Sequence, residues 1–174
     1  MNENFKIQNL ILIGFMGSGK TSVGTLLSEF LNWSFIDLDK IIEKKTGLFI
    51  NEIFSQFGEA YFRNLEKEEI NNLKQVNQSV ISLGGGAFCN QDSINLFKKI
   101  GITVYLKASY STLITHYTKE EIEKRPLLKD IDNAKKLLLS REKFYSQADI
   151  HISIDHLSIE EIKNLIIGQL KEKF

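Results

Sequence analysis

The apolar positions of the chain fall into two kinds of pattern. Short apolar runs, of which Leu10-Ile11-Leu12-Ile13 is the clearest, read as strands buried in a parallel sheet. Further strands are predicted at Ser34-Phe35-Ile36, Ser79-Val80-Ile81-Ser82-Leu83, Ile102-Thr103-Val104-Tyr105-Leu106 and Ile150-His151-Ile152-Ser153. Helical spacing fills the stretches between, at about 21–31, 38–45, 51–57, 59–74, 91–99, 110–116, 132–147 and 158–172. Strands alternating with helices give an α/β fold with a parallel sheet. Right-handed crossovers cover both faces of such a sheet and put a ligand site at the carboxyl ends of its strands.

The aromatics Phe49, Phe54, Phe57 and Phe62 recur at helical spacing and read as core, with Phe54 and Phe62 also candidates for a site. Nothing in the pattern marks a repeat, a low-complexity tract or a linker, so a chain of 174 residues is expected to be a single domain, 1–174. The charged stretch from Lys119 to Lys124 is the candidate mobile loop.

Composition narrows the partners. Lys plus Arg equals Asp plus Glu, 22 against 22, so there is no overall basic field to draw the chain onto nucleic acid or an anionic membrane. A small-molecule partner fits better. The apolar run from Leu10 to Met16 is interrupted by Gly14 and too short for a signal peptide or a bilayer span, which gives an expectation of a cytoplasmic protein. Cys89 is the one cysteine; it excludes an internal disulfide and reads as a small buried hydrophobe. Arginine occurs only at Arg63, Arg125 and Arg141, and proline only at Pro126, so each is expected to serve geometry.

The chemistry begins at Gly14-Phe15-Met16-Gly17-Ser18-Gly19-Lys20-Thr21, which fits GxxxxGK[ST] and sits between a predicted strand and a predicted helix. Glycines there let backbone N–H groups converge on phosphate oxygens at a helix N-terminus. Lys20 can reach the β- and γ-phosphates of ATP, and the Thr21 hydroxyl can ligate Mg2+. Asp37 and Asp39 follow the second strand on the same side of the sheet; one could serve magnesium and the other the acceptor hydroxyl, while either could also cap a helix. Gly84-Gly85-Gly86 follows the third strand and either admits a ligand to bare backbone or makes a tight turn. Arg63 has Glu66 at i+3, an ordinary surface ion pair if taken alone. The scarcity of arginine favours carboxylate recognition, which its planar fork suits. Arg125 ends the charged loop and could fold over the phosphates; Arg141 lies on the helix that follows.

Taken in order, GFMGSGKT, the acidic pair in FIDLD, GEAYFRNLE, SLGGGAF, RPLL and the Arg141 of SREKFY resemble the shikimate kinase family, from Leu10 to about Tyr145. The resemblance implies a three-layer αβα P-loop kinase fold of nucleoside monophosphate kinase type, built on a five-stranded parallel sheet, with a mobile lid at about 117–128. It implies transfer of the γ-phosphoryl group of ATP to the 3-hydroxyl of shikimate, within aromatic amino-acid biosynthesis. By it, Gly17, Ser18, Gly19, Lys20, Thr21 and Ser22 line the ATP phosphates. Thr21 and Asp37 serve Mg2+, Asp37 through water, and Asp39 holds the acceptor and is the candidate base. Arg63 and Arg141 grip the carboxylate, Gly84, Gly85 and Gly86 offer N–H groups to the hydroxyls, and Arg125 reaches the transferring phosphate. Many members also carry an arginine near the start of the lid that packs on adenine; here that stretch reads His116-Tyr117-Thr118-Lys119, and His156 becomes a candidate. The expected partners are shikimate and ATP, with no nucleic acid and no membrane, and the expected state is a monomer. Other readings are a P-loop kinase acting on gluconate or a nucleoside monophosphate, or a non-catalytic nucleotide-gated binding protein; no NKxD sequence for guanine is present.

Overall fold

The computed structural model describes residues 8–115, 117 and 130–173. Five parallel strands form its sheet in the order β2-β3-β1-β4-β5, where β1 is Asn9–Ile13, β2 Ser34–Asp37, β3 Ser79–Ser82, β4 Ile102–Lys107 and β5 Ile150–Ser153. The helices are α1 (Lys20–Leu31), α2 (Leu38–Thr46), α3 (Ile50–Asn72), α4 (Gln91–Ile100), α5 (Tyr110–Thr115), α6 (Ile131–Tyr145) and α7 (Ile159–Lys173), with a 3-10 turn at Leu73–Gln75.

Strand β1 is buried along its whole length because it is the central strand, covered on both faces. Its side chains alternate. Leu12 faces α1, whose Gly24 lets the helix pack tightly on Leu12 and Phe35. Ile13 pairs in register with Tyr105, and Tyr105 meets the α6 residue Tyr145, ring to ring at 5.1 Å, on the opposite face. Helices α1 and α7 therefore make one layer and α6 belongs to the other. At the amino end of the sheet, buried Asn9 donates to Val76 O and Ile100 O, both at 2.8 Å, and accepts from Ser79 N, closing the end remote from the site. Among the described residues, no helix is long and apolar enough to cross a membrane.

Strand order brings together what the chain separates. The ends of β2, β3 and β1 lie side by side, so the acidic pair after β2, the glycines after β3 and the phosphate loop after β1 share one edge.

The structure corrects several expectations. The stretches 51–57 and 59–74 are one element, α3, bent at Gly58, whose φ of 81° and ψ of 173° leave the helical region. Phe49 and Phe57 are 64% and 52% exposed and Phe54 is also on the surface. The inner face of that segment is carried by Ile53, and Phe57 rests against Tyr61 instead, 4.9 Å between centroids. Only Phe62 of the four is core. Glu66 is 4% exposed, so its pair with Arg63 is not an ordinary surface ion pair. Cys89 is half-buried, its thiol directed at Gly85 O, 3.5 Å away. Arg125 and Pro126, with the expected lid from 118 to 128, fall outside the described residues, as does His116.

Candidate functional site

The phosphate loop leaves β1 through Gly14 and turns into α1 through Gly19, the helix N-cap, which has φ of 76°. Gly17 also has left-handed φ, 80°, and a side chain there would meet the ring of Tyr117. Lys20 Nζ donates to Gly14 O at 3.0 Å and Phe15 O at 2.9 Å, which curls the ammonium over the loop. Ser18 is buried beneath, its Oγ 3.5 Å from the same ammonium. Thr21 and Ser22 stand exposed in the first turn of α1. This is the backbone arrangement that binds anions at a helix N-terminus.

The Thr21 hydroxyl donates to Asp37 Oδ2 at 2.9 Å. The other Asp37 oxygen accepts from Lys40 N at 3.3 Å and caps α2, so the helix-capping role falls to Asp37. A hydroxyl and a carboxylate in contact beside a phosphate loop supply the hard oxygen donors that suit Mg2+.

Asp39, two residues on in the first turn of α2, has a different environment. Its Oδ1 is buried and accepts no hydrogen bond among the described residues. Burial pushes its carboxyl up to about 6; neighbouring Asp37 adds to the shift, and the Lys20 ammonium opposes it. A carboxyl so placed is poised to take a proton near neutral pH.

Opposite Asp39 run the three glycines, and each leaves room for one charged side chain. A Cβ on Gly84 would lie 2.5 Å from Asp39 Oδ1, one on Gly85 3.0 Å from Arg141 Nη1, and one on Gly86 2.6 Å from Arg63 Nη2. The N–H groups of Gly85 and Gly86 make no hydrogen bond among the described residues, while Ala87 N and Cys89 N close the turn onto Gly84 O and Gly86 O. Bare donors and charged groups therefore face the same space.

The bend at Gly58 lets the second part of α3 aim Phe62, Arg63 and Glu66 at this space. Arg63 donates to Glu66 Oε2 at 2.7 Å and to Glu59 Oε1 at 3.0 Å, and lies over the Phe62 ring. Phe54 stacks on Phe62 from outside, 4.8 Å between centroids. Arg141 lies over the ring of buried Phe15. Burial pushes the Glu66 carboxyl up, and the Arg63 and Arg141 guanidinium groups pull it back; its Oε1 also has no hydrogen-bond partner among the described residues. Two guanidinium groups against a buried carboxylate form a positive fork suited to an external carboxylate.

The described residues thus bring together Gly17 to Ser22, Asp37, Asp39, Arg63, Gly84 to Gly86 and Arg141. His156 is exposed in the turn after β5, with φ of 66°, beside the Asp155 that ties the β4 and β5 ends by accepting from Ser109 N. Tyr145 is a residue that the sequence reading passed over. It is fully buried, one helical turn after Arg141, and its hydroxyl donates to Gly85 O. The i, i+4 spacing from Arg141 was the available signal.

The family model described as shikimate kinase matches residues 16–171. A shikimate kinase from Sulfurihydrogenibium sp. (strain YO3AOP1) is 40% identical over 168 residues, covering 96% of this chain and 100% of the relative. The crystal structure of shikimate kinase from Aquifex aeolicus is 40% identical with a TM-score of 0.83, covering 94% of this chain and 96% of that one. Shikimate kinase from Acinetobacter baumannii in complex with shikimate is 31% identical with a TM-score of 0.89, covering 98% and 97%. With the five-stranded parallel sheet between helical layers, the phosphate loop and matches over nearly its whole length, this chain belongs to the shikimate kinase family and has its P-loop kinase fold of nucleoside monophosphate kinase type.

Proposed function

We propose that the chain transfers the γ-phosphoryl group of ATP to the 3-hydroxyl of shikimate, giving shikimate 3-phosphate and ADP. The observation that supports this most is the line of three glycines, each standing against one charged group: Asp39, Arg141 and Arg63. A small polyhydroxylated acid needs such a surface, with N–H donors for hydroxyls, a fork for the carboxylate and a base at the reacting end.

In this reading ATP lies with its phosphates on Gly17, Ser18, Gly19, Lys20, Thr21 and Ser22. Lys20 leaves the loop carbonyls to follow the β- and γ-phosphates, and Arg125 reaches the transferring group from a lid at about 117–128. Thr21 and Asp37 would hold Mg2+, which when bound screens the phosphate charge. Arg63 and Arg141 take the shikimate carboxylate in charge-assisted hydrogen bonds, and Gly84, Gly85 and Gly86 receive the ring hydroxyls. Asp39 accepts the proton of the 3-hydroxyl as that oxygen bonds to phosphorus and the β–γ bridging oxygen leaves with ADP. We further propose that the chain acts as a monomeric single domain in the cytoplasm, on shikimate and ATP without nucleic acid or membrane.

A coupled assay of ADP release tests the reading. Sustained release that requires shikimate and yields one shikimate 3-phosphate per ADP is the expected result. Release independent of shikimate would leave only an ATPase.

A further inference from the structure

Gly85 is held from behind. Tyr145 has no exposed surface, its ring packs on Tyr105, and its hydroxyl reaches across the fold to donate to Gly85 O, sixty positions away in sequence. A phenylalanine would fill the same volume, so the hydroxyl is there for a polar partner. Two other groups face it: the Arg141 guanidinium one turn earlier on α6, and the Cys89 thiol, which points at the same carbonyl from 3.5 Å. Burial keeps the phenol protonated, and so a donor, far above neutral pH.

The consequence follows from peptide geometry. In a trans peptide, C=O and the next N–H point in opposite directions. Anchoring the Gly85 carbonyl on Tyr145 therefore turns Gly86 N–H away from α6, and that N–H has no partner among the described residues. Neither glycine could hold such a direction unaided, because glycine is the residue with the most backbone freedom to lose. The same helix carries Arg141, whose Nη1 lies 3.0 Å from where a Cβ on Gly85 would sit.

We infer that Tyr145 is a positioning residue for the acceptor: its hydroxyl sets the peptide between Gly85 and Gly86 and keeps that peptide in register with the Arg141 guanidinium. The inference rests on the proposed reading that this face receives shikimate. Tyr145 touches neither ATP nor the transferred group; it acts through the glycine stretch. Its loss must then appear in the affinity for the acceptor and not in the affinity for the nucleotide.

The test is Tyr145→Phe, which removes one oxygen and keeps the ring. The KM for shikimate is expected to rise about tenfold, as for a buried carbonyl left without its donor, while the KM for ATP stays within about twofold and kcat falls less than KM rises. Cys89→Ala serves as the second variant: it takes away the weaker contact to the same carbonyl, and its shikimate KM is expected to stay within about twofold of wild type. An unchanged shikimate KM in Tyr145→Phe overturns the inference. So do equal changes in both KM values, a Cys89→Ala variant that reproduces the whole effect, or a Tyr145→Phe chain that cannot be recovered folded, since each makes the hydroxyl structural only. Wild type assayed in parallel separates the two ideas: an inactive wild type removes the functional reading and this inference with it, whereas an active wild type with an unmoved variant removes this inference alone.

Discussion

In the phosphate loop, Gly14, Gly17 and Gly19 have φ of 150°, 80° and 76°, backbone that L side chains rarely adopt, and nothing crowds Gly19. In the 84–86 stretch no glycine has left-handed φ, yet a Cβ at any of the three would meet Asp39, Arg141 or Arg63. The loop glycines all need their backbone conformation, with Gly14 and Gly17 short of space as well, whereas the 84–86 glycines need space alone. The difference extends to what surrounds them. The nucleotide side is contiguous, made of backbone, with Lys20 bonded to the loop's own carbonyls. The proposed acceptor side is assembled from α2, the turn after β3, α3 and α6, and Asp39 Oδ1 and Glu66 Oε1 there have no hydrogen-bond partner among the described residues. An anion can be bound by almost any chain that folds the loop, whereas in the proposed reading selection of the acceptor depends on side chains brought from distant segments.

The strongest challenge to that division is Asp39→Asn. An amide cannot accept the hydroxyl proton, so kcat is expected to fall about 10³-fold, the scale of a lost general base. The ATP dissociation constant, measured by calorimetry, stays within about threefold because the nucleotide side is left intact.

Next in size are Arg63→Lys and Arg141→Lys. A point-charge ammonium cannot reproduce a planar fork, so steady-state kinetics should show the shikimate KM raised about tenfold in each with the ATP KM unmoved. A shift in the ATP KM instead would show that the two sides are not separate.

Two alanines sharpen the comparison of the glycines. Gly19→Ala forces an L side chain into the left-handed region and should cost about 1 kcal/mol of stability in urea denaturation, with a weaker grip on ATP. Gly84→Ala suffers no such backbone strain; it should leave the urea midpoint and ATP KM near wild type and raise the shikimate KM about fivefold by displacing Asp39, a modest effect of lost hydrogen-bond alignment. An exchange of the two phenotypes would contradict the distinction.

Asp39 also bears on stability, apart from either side's grip on its ligand. With its pKa raised to about 6 from 3.8, Asp39 favours the folded state most when protonated, and that benefit is lost as pH rises through about 6. Replacing it with neutral Asn should therefore stabilise the protein at pH 8, by up to about 3 kcal/mol, and the gain should disappear below pH 4. Thermal denaturation at the two pH values measures it.

The same division explains what could be read from the sequence. The phosphate loop is one unbroken string, so its place between β1 and α1 was legible, as were all five strands. The residues proposed for the acceptor are named from the family resemblance of motifs taken in order. What the string does not carry is their packing: that Glu66 would be buried behind Arg63, that Phe49 and Phe57 would turn outward while Phe62 turned in, and that α3 would run on through the bend at Gly58. Those depend on how α3 rolls against its neighbours, which helical spacing leaves open. The i, i+4 spacing sets Tyr145 beside Arg141, but its hydroxyl's partner is a backbone carbonyl sixty positions distant, which that spacing does not reveal.

The central claim is that the acceptor side selects a ring acid bearing hydroxyls. The most direct measurement is kcat/KM for ADP formation with shikimate, quinate, gluconate and AMP under one set of conditions. Shikimate is expected to exceed every other acceptor by at least about 10²-fold, the scale on which buried polar groups left unpaired penalise a wrong substrate. Turnover of AMP or gluconate equal to or faster than that of shikimate would contradict the account.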